Sequence, residues 1–140
     1  MKNLIIRCTF IRGKGHNRYT KVLEQPKTMD TISNGKFAGY PDLSSIEIPK
    51  GITAIGLNAF ARCSQLRKVT LHDGIEAIHA GAFEDCVSLE EIVIPRTVKN
   101  IGCEAFKGCS GLKVAKICSL DTNIHKGAFD EGVEIQYIAA

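Results

Sequence analysis

A single residue type recurs at a constant interval along this chain and restricts the kind of fold that it can adopt. Phe37, Phe60, Phe83, Phe106 and Phe129 lie 23 residues apart. They are five of the six phenylalanines in 140 residues, so chance is a poor explanation of the spacing. A constant period of this size is typical of a solenoid, in which one supersecondary unit repeats and each copy buries its apolar face against the next.

The other positions of the unit repeat with the same phase. With each phenylalanine counted as position 0, apolar residues recur at +6, +9, +11, +15, +18 and +22, and cysteine or tyrosine stands at +3. Positions +9 and +11 alternate with polar neighbours, as in Ile46-Glu47-Ile48, which predicts a strand with one buried face. The Ala-Phe-x-x-Cys segment has a spacing of three to four residues, which predicts a short helical turn. Gly56 and Gly102 follow the +18 isoleucine, where we expect the chain to bend.

The residues from Leu43 to Cys63 carry a resemblance to a known family. They read Leu-x-x-Ile-x-Ile-Pro-x-x-Ile-x-x-Ile-Gly-x-x-Ala-Phe-x-x-Cys, which resembles the BspA-type leucine-rich repeat and its LxxIxIPxxVxxIGxxAFxxC pattern. The resemblance covers Phe37 to Ala140. It implies an α/β fold, namely a right-handed leucine-rich-repeat solenoid whose stacked strands form a parallel sheet with short helical turns. The fourth unit departs from the pattern, since Asp121 occupies the apolar position +15.

The pattern divides the chain into two parts. Residues 1–22 are predicted to form a capping β-hairpin, with strands at Leu4–Ile11 and Tyr19–Leu23 joined by a turn-rich segment that includes Gly13-Lys14-Gly15. Residues 23–140 are predicted to form the solenoid. It comprises a partial unit at 23–36, units that start at Phe37, Phe60, Phe83 and Phe106, and a partial unit from Phe129.

The C-terminal end of the solenoid is predicted to carry an edge strand. Glu134 to Ile138 occupies the strand positions of the fifth unit, and the chain stops at Ala140 before that unit closes. An edge strand presents backbone groups that a second chain can pair with. We therefore expect a two-fold homodimer through this edge. The alternative is a monomer in which the irregular fourth unit twists the edge away from pairing.

The sequence contains no arrangement of residues that is typical of catalysis or of a metal or cofactor site. No two of the four histidines have metal-ligand spacing, and the six cysteines contain no CxxC motif. Cys63, Cys86 and Cys109 share an inward repeat position, where a small thiol packs well, so we expect free buried thiols. We predict that the protein is not an enzyme and has no catalytic, metal or cofactor-binding residues.

Charge, by contrast, is distributed unevenly. The first 36 residues hold eight lysines and arginines against Glu24 and Asp30, whereas the remainder of the chain is mildly acidic. A solvated cap is the simplest interpretation, and anion or nucleic-acid binding by this basic segment is a weaker alternative, because no RNA-binding aromatic signature accompanies it.

The location of the protein stays open at this stage. No apolar run reaches the 18 residues that a membrane span needs. The apolar stretch at the start of the sequence is too short for a secretory signal. The missing signal favours a location in the cytoplasm. The family resemblance instead favours the cell surface or secretion.

The exposed face of the predicted sheet is the candidate binding site. Positions +8 and +10 point outward and comprise Ser45, Glu47, Lys68, Thr70, Glu91, Val93, Val114 and Lys116, followed by Tyr137 and Ala139 in the last unit. A shallow face suits a protein partner better than a small molecule. We predict a non-enzymatic scaffold that binds another protein here; the resemblance implies adhesion or recognition of host proteins. The alternative is a structural module that packs through its solenoid ends.

Overall fold

The computed structural model describes residues 3–12 and 17–139. Within these ranges every regular element is a strand. The strands are β1 (Leu4–Arg12), β2 (Asn17–Gln25), β3 (Thr31–Ile32), β4 (Leu43–Glu47), β5 (Ala54–Ile55), β6 (Lys68–Thr70), β7 (Ala77–Ile78), β8 (Glu91–Ile94), β9 (Asn100–Ile101), β10 (Val114–Ile117), β11 (Asn123–Ile124) and β12 (Glu134–Tyr137).

The first two strands form the predicted hairpin. They pair antiparallel from Leu4 opposite Gln25 onward, and β2 extends two residues further at each end than the sequence indicates. β1 also pairs antiparallel with β4. Ile6, Cys8 and Phe10 alternate along β1 and are buried, which seals the open end of the first coil as a solenoid cap must. The segment Gly13-Lys14-Gly15 lies outside the described residues.

The repeat strands build two faces around one core. The front face is the outward side of two hydrogen-bonded sheets, with strand orders β2-β1-β4-β6 and β12-β10-β8. The back sheet has the order β11-β9-β7-β5-β3, and all of its strands pair in parallel. Ile46 of β4 and Ile55 of β5 belong to the same buried cluster. The predicted parallel solenoid is therefore confirmed.

Successive turns replace the predicted helical turns. Asn58 and Arg62, on either side of Phe60, have φ values of 53° and 61°, which a right-handed helix does not permit. Alternate N–H groups consequently bond in two directions. Ala59 N–H donates within its own coil to Gly56 O (3.2 Å), whereas Phe60 N–H donates to Ala82 O of the next coil (2.7 Å). The turns thus join neighbouring coils, which a helix with internal hydrogen bonds does not do.

The repeating phenylalanines form a continuous stack of rings. Neighbouring ring centroids from Phe37 to Phe129 are 4.9–5.1 Å apart, and the planes deviate from parallel by only 2–9°. Phe60, Phe83 and Phe106 are completely buried. Phe10 of the hairpin stacks on Tyr19 at 5.1 Å and contacts Tyr40, which in turn contacts Phe37. One aromatic array therefore joins the hairpin to the last coil.

The last two coils depart from the 23-residue period. Asp121 is exposed, and the next residue, Thr122, is buried instead, with its hydroxyl donating to Val98 O at 2.8 Å. In the final strand each residue pairs with the preceding coil three positions earlier than the 23-residue period predicts. Val114 lies opposite Glu134, where the period predicts Tyr137, and Ile117 lies opposite Tyr137. Tyr137 therefore lies opposite the buried Ile117 and does not continue the predicted outward row, although its side chain is 50% exposed at this end of the solenoid. Ala139 is exposed but lies beyond β12.

Candidate protein-binding face

The hairpin end of the front face carries four of the predicted residues in register. Ser45 of β4 lies opposite Lys68 of β6, and Glu47 lies opposite Thr70. Their neighbour Ile46 is buried, so the alternation of the pleat turns the four side chains away from the core. They form two short rows across the strands.

The other four predicted residues form a second group on β8 and β10. Val114 lies opposite Glu91, and Lys116 lies opposite Val93. Lys116 Nζ lies 2.6 Å from Glu91 Oε1, which makes a diagonal ion pair between the two strands. Val93 is 43% exposed and supplies apolar contact area. In the described part of the chain β6 and β8 belong to different sheets, so the two groups meet across a break in the hydrogen-bonded ladder.

The hairpin extends this face, which the sequence reasoning missed. Arg7 of β1 lies between Glu47 of β4 and Val22 of β2, and Thr9 lies opposite Ser45. The signal was present in the alternation of apolar and polar residues along Ile6-Arg7-Cys8-Thr9-Phe10. The partner strand of β1 was not predictable, because no repeat relates residues 4–12 to the solenoid.

Two shallow depressions lie on the front face. One, of about 340 Å³, is formed where the hairpin meets the first coils, and its outward lining residues are Arg7, Thr9, Thr20, Val22, Ser45, Glu47, Lys68 and Thr70. The other, of about 710 Å³, is lined by Glu90, Glu91, Gly111, Lys113, Val114, Lys116 and Gln136. Neither is the enclosed, mostly apolar pocket that small ligands prefer. Both are suited to side chains that project from a partner surface.

The charged side chains at the hairpin end of the front face have few close partners. Glu47 lies 3.7 Å from His72 Nε2. Within the described residues no carboxylate oxygen lies within 4 Å of Arg7 or Lys68. These two cations are therefore available to a partner at this end, whereas Glu91 at the other end is already paired with Lys116.

The back sheet offers less for recognition. Each of its strands is two residues long and contributes one outward side chain. Ala54 and Ala77 are small, and Asn123 Nδ2 donates to Asn100 Oδ1 at 3.2 Å. The back sheet thus presents a narrow row of small or mutually bonded groups.

The basic residues of the N-terminal segment are spread over both faces. Arg7 points outward on the front face, whereas Lys21 lies opposite the buried Cys8 and so belongs to the other side of the hairpin. Lys36 donates to Gln25 Oε1 at 3.1 Å and lies 5.8 Å from the centre of the Phe37 ring. Lys2 and Lys14 are outside the described residues. The described basic groups therefore do not form a single patch.

The repeat cysteines are buried and free in this structure. The thiols of Cys63, Cys86 and Cys109 donate to carbonyl oxygens of the preceding coil at 3.0–3.1 Å. Burial raises the pKa of the Cys109 thiol to about 12 and that of Cys8 to about 11. Such groups are poor nucleophiles at neutral pH, because the thiolate is the reactive form.

Neither a metal-binding cluster nor a membrane-spanning helix is found in the described residues. No group of three or more His, Cys, Asp and Glu side chains within 3–12 and 17–139 is arranged to hold a metal ion. No helix in these ranges has the length and apolar character that crossing a bilayer requires.

Comparisons with known proteins agree with this geometry. Residues 18–139 match the family model described as the BspA type leucine rich repeat region, in six copies. No curated protein matches the chain.

Three solved structures share the fold. A leucine rich cell surface protein from Faecalibacterium prausnitzii is 24% identical, with a TM-score of 0.65 over 79% of this chain and 30% of that chain. A leucine-rich repeat protein from Bacteroides ovatus is 24% identical, with a TM-score of 0.66 over 96% and 40%. The pneumococcal vaccine antigen PcpA is 20% identical, with a TM-score of 0.65 over 94% and 38%. This chain therefore spans less than half of each of these structures.

Proposed function

The chain belongs to the BspA-type leucine-rich repeat family, and from that premise we propose that it is a non-enzymatic scaffold that binds another protein through its front face. The observation that carries the proposal is the register of the four outward residues of β4 and β6 with the hairpin. Arg7, Glu47 and Thr70 form one row, and Thr9, Ser45 and Lys68 form the other. A repeat protein of this kind uses an extended, regular surface for recognition.

The partner is a protein surface with acidic groups facing the hairpin end. Arg7 and Lys68 have no carboxylate within 4 Å in the described part of the chain, so an acidic side chain of a partner gains a charge-assisted hydrogen bond there. Val93, 43% exposed, supplies an apolar contact further along the face. Mixed charge with exposed valine is the composition of a protein interface more than of a nucleic-acid site.

The proposed role is adhesion or recognition at a cell surface. The similar protein from Faecalibacterium prausnitzii is described as a leucine rich cell surface protein, and family members are generally non-enzymatic scaffolds. The burial of the repeat thiols, which raises the pKa of Cys109, supports a scaffold over an enzyme. The spread of the N-terminal cations over both sides of the hairpin weighs against nucleic-acid binding, which favours a continuous basic patch.

The test uses photo-crosslinking from the two faces. A photoreactive phenylalanine derivative replaces Thr70 on the front face in one variant and Asn100 on the back sheet in another. Each is applied to intact epithelial cells and to neighbouring bacteria, and adducts are identified by mass spectrometry. We expect one protein to be captured from position 70 and not from position 100. Equal capture from both positions contradicts the proposal.

Affinity measurements with the captured protein, once purified, complete the test. Lys68→Glu and Val93→Arg should each weaken binding by about tenfold or more, since they reverse a charge or disrupt an apolar contact in the interface. The matched control is Lys99→Glu, an exposed lysine beside the back sheet that pairs with Glu76 at 3.7 Å. Loss of binding in the control alone identifies the back sheet as the site instead.

A further inference from the structure

We propose that two copies of this chain pair antiparallel through β2, about a two-fold axis at Lys21. The strand β2 is outermost in the order β2-β1-β4-β6, and one of its sides is hydrogen-bonded to β1. In the described residues no strand pairs with its other side. Its nine residues make it, with β1, the longest strand, and a long edge of free backbone groups is a template for a further strand.

Two charged residues of β2, Arg18 and Glu24, have no partner of opposite charge within the described residues. Arg18 lies opposite Ile11 on β1, and Glu24 lies opposite Ile5. Arg18 has no carboxylate within 4 Å, and Glu24 has no cation, among the described residues. The Glu24 carboxylate accepts one hydrogen bond, from Asn3 Nδ2 at 3.1 Å. Two opposite charges thus stand six residues apart on one edge strand.

A second copy satisfies both charges in one register. When Lys21 lies opposite its own counterpart, Arg18 lies opposite Glu24 of the second copy, and symmetry repeats this pair. Opposite residues in such a ladder have Cβ atoms about 4.5–5.5 Å apart, within reach of an ion pair. A shift that centres the ladder on Val22 places Arg18 opposite Pro26 and loses both pairs. The sequence of β2 is therefore self-complementary, as a two-fold contact requires.

The register centred on Lys21 also contains one unfavourable contact, which provides a further test of the proposal. The two Lys21 side chains lie opposite each other, and like charges in that position are destabilising. They are long and exposed, so they can turn apart, but their removal should tighten the dimer. The competing edge, β12, has only four residues and offers a shorter ladder.

Pairing through β2 has a consequence for recognition. Opposite residues of an antiparallel ladder point to the same side of the sheet, so the front faces of both copies face the same way. The dimer would present two copies of the Arg7 and Thr9 rows on one continuous surface. A partner displayed on a cell surface would then be held at two points, which raises the overall affinity.

Sedimentation velocity of the whole chain between 1 and 100 μM tests the proposal. We expect the parent to dimerise and Arg18→Glu to weaken the dimer about tenfold, since both ion pairs become repulsive. Glu24→Arg should weaken it equally. The double variant Arg18→Glu with Glu24→Arg should restore it, because the pairs are re-formed with opposite polarity. Lys21→Thr should strengthen it several-fold.

The controls separate this interface from the alternatives. Lys126→Glu makes a comparable change of charge at an exposed position on the last coil and should leave dimerisation unchanged. Ile138→Lys perturbs the β12 edge and should also have no effect. A parent that is monomeric at 100 μM overturns the proposal. So does a double variant that stays as weak as the singles, or a dimer that Ile138→Lys abolishes.

Discussion

The thiol of Cys86 donates a hydrogen bond to the carbonyl oxygen of Phe60 in the preceding coil, 3.1 Å away. The same oxygen accepts the backbone N–H of Cys63 at 3.3 Å. Cysteine at this repeat position therefore combines two properties. It is small and apolar enough for the core, and it supplies a weak donor to a carbonyl with a second free lone pair. The recurrence of cysteine thus has a packing explanation that involves neither a disulfide nor a metal.

Labelling of the native protein should distinguish these thiols from the exposed one. At pH 8 an alkylating reagent should modify Cys103, which is exposed, far faster than Cys109. The pKa of Cys109 is raised to about 12 by burial, so its thiolate fraction at pH 8 is on the order of one in ten thousand. Mass spectrometry of the alkylated peptides gives both rates.

Two results would contradict this account of the cysteines. One is labelling of Cys109 at the rate of Cys103 in the folded protein. The other is a titration in denaturant, without reductant, that finds fewer than six free thiols because Cys63, Cys86 or Cys109 is bridged. In the expected case all six react once the chain is unfolded.

Truncation within the aromatic stack should be costly. Phe83 is completely buried, and its ring lies 5.1 Å from the rings of both Phe60 and Phe106. Phe83→Ala should lower the free energy of unfolding by about 3–5 kcal/mol, because it leaves a cavity between two rings. Urea denaturation measures the change. Leu120→Ala, at a position that is 80% exposed, should change it by less than about 0.5 kcal/mol. Similar values for the two variants would disprove the inward assignment.

The strands and the front face were predictable because their signal is local. The alternation in Ile46-Glu47-Ile48 identifies which side chain points outward whatever lies next to the strand. Because Thr70, Val93 and Lys116 occupy the same repeat position as Glu47, the 23-residue period predicts that their side chains also point outward. The inward assignment of Leu43 and Phe60 follows from the same reasoning, and both are buried.

The turns and the last coil were not predictable for a physical reason. A spacing of three to four residues is shared by helical turns and by successive β-turns, and only backbone dihedral angles separate the two. Asn58 and Arg62 adopt positive φ although neither is glycine, so composition gives little warning. The early pairing of Glu134 with Val114 is a choice of register between coils, which the pattern of one unit does not specify.

The glycine after the +18 isoleucine illustrates the same difference. The sequence reasoning assigns Gly56 to a bend, yet its φ is not in the left-handed region. Its role is close approach. A Cβ atom at Gly56 would lie 2.6 Å from Ile32 O and 2.8 Å from Asn34 N of the preceding coil. Gly56 N–H itself donates to Ile32 O at 2.8 Å, so the backbones of the two coils are held together at this point.

Alanine at this position should therefore destabilise the solenoid. Gly56→Ala should lower the free energy of unfolding by about 1–3 kcal/mol, the usual cost of overpacking, because two of the three nearest obstructing atoms, Ile32 O and Asn34 N, are backbone and cannot rotate away. The matched control is Gly132→Ala, where nothing lies within 4 Å of the added Cβ and φ is not positive. That variant should be neutral or slightly more stable, since alanine reduces the entropy of the unfolded chain. Thermal and urea unfolding of the two variants in parallel decide the matter, and equal stabilities would refute close approach as the reason for glycine.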